Sequence, residues 1–149
     1  IVMGSASDAP IMQAAEEYLA YFNIEFEIFT LSAHRMPQQT SDFARTAAAK
    51  GFAAIIAGAG MAAHLPGVIA SYTILPVIGV PLAGSDLNGV DALYAIVQMP
   101  AGVPVATMAI GKAGARNAAI FCAEMFAVHH PPLQGKLAEF RQNGCKIKI

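Results

Sequence analysis

The chain has 149 residues, enough for one domain with a sizeable core, and its 9 basic and 10 acidic residues give a net charge of −1. This balance excludes the basic surface expected of a protein that binds nucleic acid or an anionic membrane. Hydrophobic residues make up 56% of the sequence, above the roughly 45–50% that is usual for a soluble chain. A small monomer would leave much of that apolar surface exposed, so we expect a homo-oligomer.

The sequence offers no segment that is long and apolar enough to span a bilayer. The run that begins at Phe52 is rich in Ala and Gly and is interrupted by His64 and Pro66. The first residues predict a strand and no secretory signal, and because the chain begins with Ile1, we expect a short leader before it. Cys122 and Cys145 are typical of a reducing compartment without disulfides, so we expect a cytoplasmic protein.

Along the chain, five short apolar runs alternate with helical patterns. The runs lack polar alternation, which predicts strands buried on both faces: Ile1–Met3, Phe26–Leu31, Ala53–Ala57, Val77–Val80 and Val105–Ile110. The helical patterns are Pro10–Phe22, Pro37–Lys50, a segment after Ala62, Val90–Gln98 and Gly114–Val128. Repeated β-α units predict the α/β class, in a three-layer flavodoxin-like arrangement with a parallel sheet and helices on both faces.

The last third of the chain divides into two helical segments. Ala115–Val128 is apolar almost all round, which predicts burial on several sides, with a subunit interface as the natural cover. After His129, two prolines break the chain, and Leu133–Gln142 predicts a more polar helix. We therefore expect a single domain over residues 1–149, with a core at 1–128 and a helical tail at 129–149.

Polar residues follow the first predicted strand, at the sheet edge where ligands of α/β proteins bind. Gly4 allows a tight turn, Ser5 and Ser7 supply hydroxyls, and the start of the next helix offers backbone N–H groups to an anion. Asp8 either caps that helix or accepts hydrogen bonds from sugar hydroxyls. A capped turn without a ligand explains this segment equally well.

The second strand ends in Ser32-Ala33-His34-Arg35. An arginine can hold a phosphate through two parallel hydrogen bonds, and a histidine can take and give a proton near neutral pH. Their position at a strand end favours a functional site, although such a pair also occurs in loops that simply face solvent.

The third strand leads into Gly58-Ala59-Gly60-Met61-Ala62-Ala63-His64. The glycines formally match a dinucleotide-binding pattern, but they follow the third strand and lack the acidic residue that the pattern requires. We interpret them as backbone that approaches a ligand closely. His64 is either part of the ligand shell or a structural histidine. The polar connection Leu82–Gly89 predicts a mobile cover, and the spacing of His, Cys and carboxylates predicts no metal site.

Taken in order, four segments resemble the 5-(carboxyamino)imidazole ribonucleotide mutases of de novo purine biosynthesis, from Ile1 to about Val128. The segments are Gly4-Ser5-Ala6-Ser7-Asp8, Ser32-Ala33-His34-Arg35, Ala57-Gly58-Ala59-Gly60-Met61-Ala62-Ala63-His64-Leu65-Pro66-Gly67 and Ile96-Val97-Gln98-Met99-Pro100.

The resemblance implies that a carboxylate moves from the exocyclic nitrogen of an aminoimidazole ribonucleotide to a neighbouring ring carbon, without ATP, metal or organic cofactor. The carbamate would lose carbon dioxide, which stays trapped until the ring captures it. His34 matches the family's catalytic histidine. The substrate-binding matches are Arg35 and Ser5 toward phosphate and Asp8 toward ribose, with a surrounding shell at Ser7, Ser32, Gly60, His64 and Leu65. The resemblance also implies a homo-octamer with sites near subunit contacts.

One residue departs from the family pattern. Met61 stands where the family usually has Gly, so we expect the loop before His64 to sit differently or to be bulkier.

Two alternative functions remain. A sister branch carboxylates the unsubstituted ribonucleotide with free carbon dioxide, but it carries Lys in place of Arg35 and lacks the Ala-Ala-His-Leu-Pro-Gly run. A non-catalytic module that binds a nucleotide phosphate is also compatible with the fold.

Overall fold

The computed structural model describes residues 1–147. They contain one five-stranded sheet in the order β2-β1-β3-β4-β5, in which every neighbouring pair is parallel. The strands are β1 (Val2–Met3), β2 (Phe29–Thr30), β3 (Ile55–Gly60), β4 (Val77–Leu82) and β5 (Ala106–Thr107). The α-helices are α1 (Ala9–Tyr21), α2 (Pro37–Ala47), α3 (Leu65–Ala70), α4 (Val90–Val97), α5 (Lys112–Ala127) and α6 (Pro131–Gln142).

The strand order places a topological switch point at β1. The chain leaves β1 toward β2 on one side, and β3 then returns to the other side of β1. In open α/β sheets the crevice outside the carboxyl ends of the strands at such a point is where ligands bind. The loops after β1, β2 and β3 are therefore the ones that can form a site together, and the flavodoxin-like prediction is confirmed.

Each face of the sheet carries its own hydrophobic core. On one face, α1, α5 and α6 pack over buried residues of β1, β3 and β4 that include Met3, Ile56 and Val80. On the other face, α2, α3 and α4 cover the alternate strand residues, such as Val2 and Ile55. Because neighbouring strand residues point to opposite faces, both sides of a central strand must be apolar. This requirement explains the uninterrupted hydrophobic runs.

The ends of several elements differ from the sequence predictions. β2 was predicted over Phe26–Leu31, but it pairs with β1 only through Phe29 and Thr30, and Phe26 and Ile28 are exposed. Similarly, β5 was predicted over Val105–Ile110 and pairs with β4 through Ala106 and Thr107. Each of these edge strands pairs with its single neighbour over only two residues. The residue pattern does not indicate where such pairing ends.

The third strand differs in a way that matters for the site. It was predicted to end at Ala57, but it continues to Gly60 through six successive pairs with β4. A Cβ on Gly58 would lie 2.5 Å from the Met12 sulfur of α1, so a larger residue here would force the flexible Met12 side chain to move. Gly58 does not line the cleft that the neighbouring loops form, so the interpretation of this residue as backbone next to a ligand was wrong.

The C-terminal helix α6 covers α5 from the same chain. Its Phe140 is buried and packs edge-on against Tyr18 and Phe22, and Leu133 is buried beside it. The small residues of α5, such as Ala118 and Ala119, are buried under α1 and the sheet. The cover predicted for α5 thus comes, for these residues, from within the chain, and the tail helix is more apolar on one face than its composition indicated.

Candidate active site

An open cleft of about 380 Å³ lies at the switch point, where the loops after β1, β2 and β3 meet. Of the nine residues that the sequence predicted for the site, His64 does not line the cleft itself. The other predicted residues do: Ser5, Ser7, Asp8, Ser32, His34, Arg35, Gly60 and Leu65. Three separate turns of the chain therefore converge on one space.

The turn after β1, which we call the β1 turn (Ser5–Asp8), is ordered by its own hydrogen bonds. The Ser5 hydroxyl accepts from the Ser7 N–H at 3.3 Å and from the Ser7 hydroxyl at 2.9 Å. The Asp8 carboxylate reaches back and accepts from the Ser5 N–H at 2.9 Å. This reciprocal arrangement is a capping box, and it fixes both hydroxyls and the carboxylate before any ligand arrives.

Asp8 sits in an unfavourable place for a negative charge. Burial raises the pKa of its carboxyl above the usual value, and the hydrogen bond from the Ser5 N–H opposes that shift without cancelling it. The carboxylate lines the cleft as well as closing the turn. The Asp8 side chain can therefore both cap the turn and face a ligand, the two roles that were predicted as alternatives.

Two histidines from different loops meet beside the cleft, and we call them the imidazole pair (His34 and His64). His34 Nε2 lies 2.9 Å from His64 Nδ1, and the rings are nearly perpendicular at 75° with centroids 5.0 Å apart. One of the two contacting nitrogens must lack a proton to accept the hydrogen bond, so the bonded pair carries at most one positive charge. The pair can therefore hold one mobile proton next to the cleft.

The loop after β2 presents Arg35 to the same space. Its backbone N–H donates to the Ser32 hydroxyl at 3.2 Å, and the Ser32 carbonyl accepts from the Met36 N–H at 2.7 Å. Ser32 thus shapes the turn that carries His34 and Arg35. Within residues 1–147, the Arg35 guanidinium, which is exposed in the cleft, forms no ion pair. Its charge is available to an anionic ligand.

The loop after β3 contributes Gly60 and Met61 to the lining of the cleft. Gly60 lines the cleft, and a Cβ there would come within 3.1 Å of the Leu82 carbonyl oxygen, a tight contact with β4. Met61 adopts a left-handed backbone with φ of 55° and is 61% exposed at the rim. The backbone keeps a conformation that suits glycine, so the loop is bulkier where the family usually has Gly.

The predicted cover after β4 reaches the cleft at one point. Gly84 lines it, whereas Leu87 is 62% exposed to solvent. The loop turns back through Asn88 and Gly89, both with positive φ, and leads into α4. Movement of this loop stays a prediction.

A protein family described as AIR carboxylase matches residues 1–146 of this chain. The chain belongs to the AIR carboxylase family. Curated relatives agree over nearly the whole chain. The N5-carboxyaminoimidazole ribonucleotide mutase of Pyrococcus abyssi is 48% identical over 143 residues, covering 96% of this chain and 81% of that protein. The mutase of Escherichia coli strain K12 is 51% identical over 142 residues, covering 95% of this chain and 84% of that protein.

A solved structure from the same comparison supports the fold. The crystal structure of Treponema denticola PurE has a TM-score of 0.86 to this chain, covers 97% of it and 89% of its own length, and is 23% identical in sequence. The arrangement of strands and helices is therefore shared with that protein. The family resemblance predicted from the four sequence segments is confirmed.

One of those segments lies outside the cleft of this AIR carboxylase family member. Gln98, Met99 and Pro100 follow α4, and Met99 packs against Gly67 of α3.

Over residues 1–147, no helix has the length and apolar character to cross a membrane.

Proposed function

We propose that this chain is an N5-carboxyaminoimidazole ribonucleotide mutase, as its curated relatives are named. It would transfer a carboxylate from the exocyclic nitrogen of the substrate to a neighbouring ring carbon. The observation that carries the proposal is the convergence of the imidazole pair, the Arg35 guanidinium and the hydroxyls of the β1 turn at one cleft. These groups match the needs of a phosphorylated nucleotide whose ring must gain and lose a proton.

Substrate binding is divided between charge and hydroxyl groups. Arg35, Ser5 and Ser7 hold the phosphate, since an unpaired guanidinium and fixed hydroxyls suit a dianion. Asp8 accepts hydrogen bonds from the ribose hydroxyls. Phosphate and sugar lie away from the reacting atoms, so their binding energy fixes the ring beside His34 without altering its chemistry.

In this mechanism His34 donates a proton in the first step and takes one back in the last. Protonated His34 gives its proton to the exocyclic nitrogen as the carbamate C–N bond breaks and carbon dioxide leaves. The ring carbon then attacks carbon dioxide to form the new C–C bond, and neutral His34 removes the hydrogen from that carbon. One imidazole serves first as acid and then as base, and the overall change is an isomerisation with no net proton and no cofactor.

His64 positions His34 in this scheme. With His34 Nε2 engaged at 2.9 Å by His64, the ring nitrogen of His34 that stays free for the substrate is Nδ1. Leu65, which is 2% exposed, makes an apolar patch in the cleft wall, while Ser32 and Gly60 hold the loops that surround it. Excluding water from this space protects carbon dioxide until capture.

A side-by-side assay tests the proposal. The purified protein is given either the carbamate nucleotide, or aminoimidazole ribonucleotide with bicarbonate, and the carboxylated product is measured without ATP in both. A mutase works far faster on the carbamate. Faster product from the second mixture would identify the carbon-dioxide-using carboxylase instead, and tight binding without turnover would identify a plain nucleotide-binding module.

We also propose that residues 1–149 act as one domain, assembled into a homo-octamer in the cytoplasm. Support comes from large apolar side chains on the surface of one chain, where Ile74 is 94% and Tyr94 is 65% exposed. Such groups are costly to leave in water over a wide area. Light scattering at micromolar concentration measures the assembly, and a monomer would contradict the octamer.

A further inference from the structure

Met61 has a strained backbone conformation and lies at the rim of the cleft. Its φ of 55° lies in the left-handed region, where an L side chain crowds its own backbone and glycine does not. Asn23, Asn88 and Cys145 also have positive φ, but asparagine tolerates this conformation well and Cys145 does not line the cleft. Methionine has no such aptitude. A non-glycine residue held in the left-handed conformation at a binding cleft indicates a function that offsets the strain energy.

The surrounding chain fixes where Met61 lies. On one side, Gly60 is paired with Leu82 of β4 and cannot move without disturbing the sheet. On the other, the Ala63 N–H donates to the Met61 carbonyl at 2.9 Å, and the chain turns at once into the histidine that contacts His34. The Met61 side chain consequently stays at the rim of the same cleft, in the lining that includes His34 and Arg35.

We propose that the Met61 side chain covers part of the cleft mouth and slows the escape of carbon dioxide between its release and its capture. The inference rests on the proposed mutase function. A thioether side chain is apolar and flexible, so it can close over a bound ring and still admit the substrate. Carbon dioxide is a neutral, apolar molecule that no charged group in the cleft would retain, so a physical cover is the available means.

The test follows the carboxyl carbon through the reaction. Substrate with carbon-13 in its carbamate carboxylate is converted in unlabelled bicarbonate buffer, and the product is analysed for carbon-13 and for free aminoimidazole ribonucleotide. Carbon dioxide that escapes leaves the unsubstituted amine behind, with the proton from His34 on its nitrogen. The wild type is compared with Met61→Gly, which removes the cover, and with Met61→Leu, which keeps an apolar side chain of similar size.

We expect Met61→Gly to release free amine in about fivefold more turnovers than the wild type, and Met61→Leu to stay within about twofold of it. The melting temperature of Met61→Gly should not fall, because glycine suits the left-handed backbone, and this reports that the cleft is still folded. Equal label retention in Met61→Gly and the wild type would overturn the inference alone. Absence of carboxylated product from the wild type would overturn the mutase function and the inference with it.

Discussion

The β1 turn lines the cleft and the imidazole pair meets beside it through His34, but the two are held in place by contacts of different range. In the β1 turn, each hydrogen bond joins residues two or three positions apart, and a capping box closes the turn on itself. In the imidazole pair, one hydrogen bond joins His34 to His64 across 30 positions of the chain. In the proposed function, the β1 turn is the binding side and is organised locally, whereas the imidazole pair is the reacting side and depends on the strand order for its geometry.

This difference assigns separate tasks to the two sides. A turn that satisfies its own backbone groups offers fixed hydroxyls to an anion and loses little freedom on binding. An exposed pair of rings with one hydrogen bond between them can exchange a proton with a ligand in the cleft. Substitutions on the reacting side should therefore affect turnover most strongly, and substitutions on the binding side should affect affinity or stability.

The largest effect is expected from His34→Asn, which keeps a polar side chain that can hydrogen-bond and removes its ability to transfer a proton at neutral pH. We expect kcat to fall by about a thousandfold, as is usual when a general acid-base group is lost. Binding of the nucleotide, measured by calorimetry, should change little because Arg35 and the β1 turn remain.

A matched control is His129→Asn, since His129 is exposed and lies outside the cleft, beyond the end of α5. Its kcat should equal that of the wild type. If His34→Asn turned over substrate within about twofold of the wild type, His34 would have no part in the proton transfer.

The second effect concerns affinity. Arg35→Ala removes the unpaired guanidinium from the cleft, and we expect the dissociation constant of the ribonucleotide to rise about thirtyfold, as for a lost hydrogen bond to a charged group. Arg45→Ala is the control, because it removes the same charge from α2, where Arg45 stacks over Tyr72. Calorimetry that gave both variants the affinity of the wild type would remove Arg35 from the phosphate site.

A smaller loss is expected from His64→Asn, which replaces the partner of His34. We expect kcat to fall by about tenfold with KM nearly unchanged, since one positioning hydrogen bond is weakened while the substrate contacts remain. In the double variant with His34→Asn, the second substitution should cost almost nothing. Losses that multiplied fully in the double variant would mean that His64 acts independently of His34.

The same comparison explains what could be predicted from the sequence. The turn at Ser5, Ser7 and Asp8 could be predicted because a Ser/Asp turn before Pro10 carries its structure in adjacent residues, while the roles of these residues in binding stay a prediction. The contact between His34 and His64 was not predicted, since it depends on the sheet order that brings two distant loops together. Gly58 was misinterpreted for a related reason, because the side chain that packs against it is Met12 on another element.

The smallest expected effect is on stability, and it comes from the β1 turn. Because burial raises the pKa of Asp8 in the folded protein, the folded state binds the proton more tightly than the unfolded chain. Asp8 therefore favours folding at a pH below its unfolded value of about 3.9, and this contribution is lost as the pH rises through the folded value. At neutral pH the ionised carboxylate destabilises the fold, and a neutral side chain would relieve that cost.

Asp8→Asn tests this sign directly, because the amide oxygen can still accept from the Ser5 N–H. Urea unfolding should show Asp8→Asn at least as stable as the wild type at about pH 7, with its advantage shrinking toward about pH 4. Asp86→Asn, in the exposed loop after β4, serves as the control for the loss of a surface carboxylate. An Asp8→Asn variant less stable than the wild type at neutral pH would mean that the charge itself holds the turn. Stability gained together with weaker nucleotide binding would instead indicate that the carboxylate is kept for its ligand.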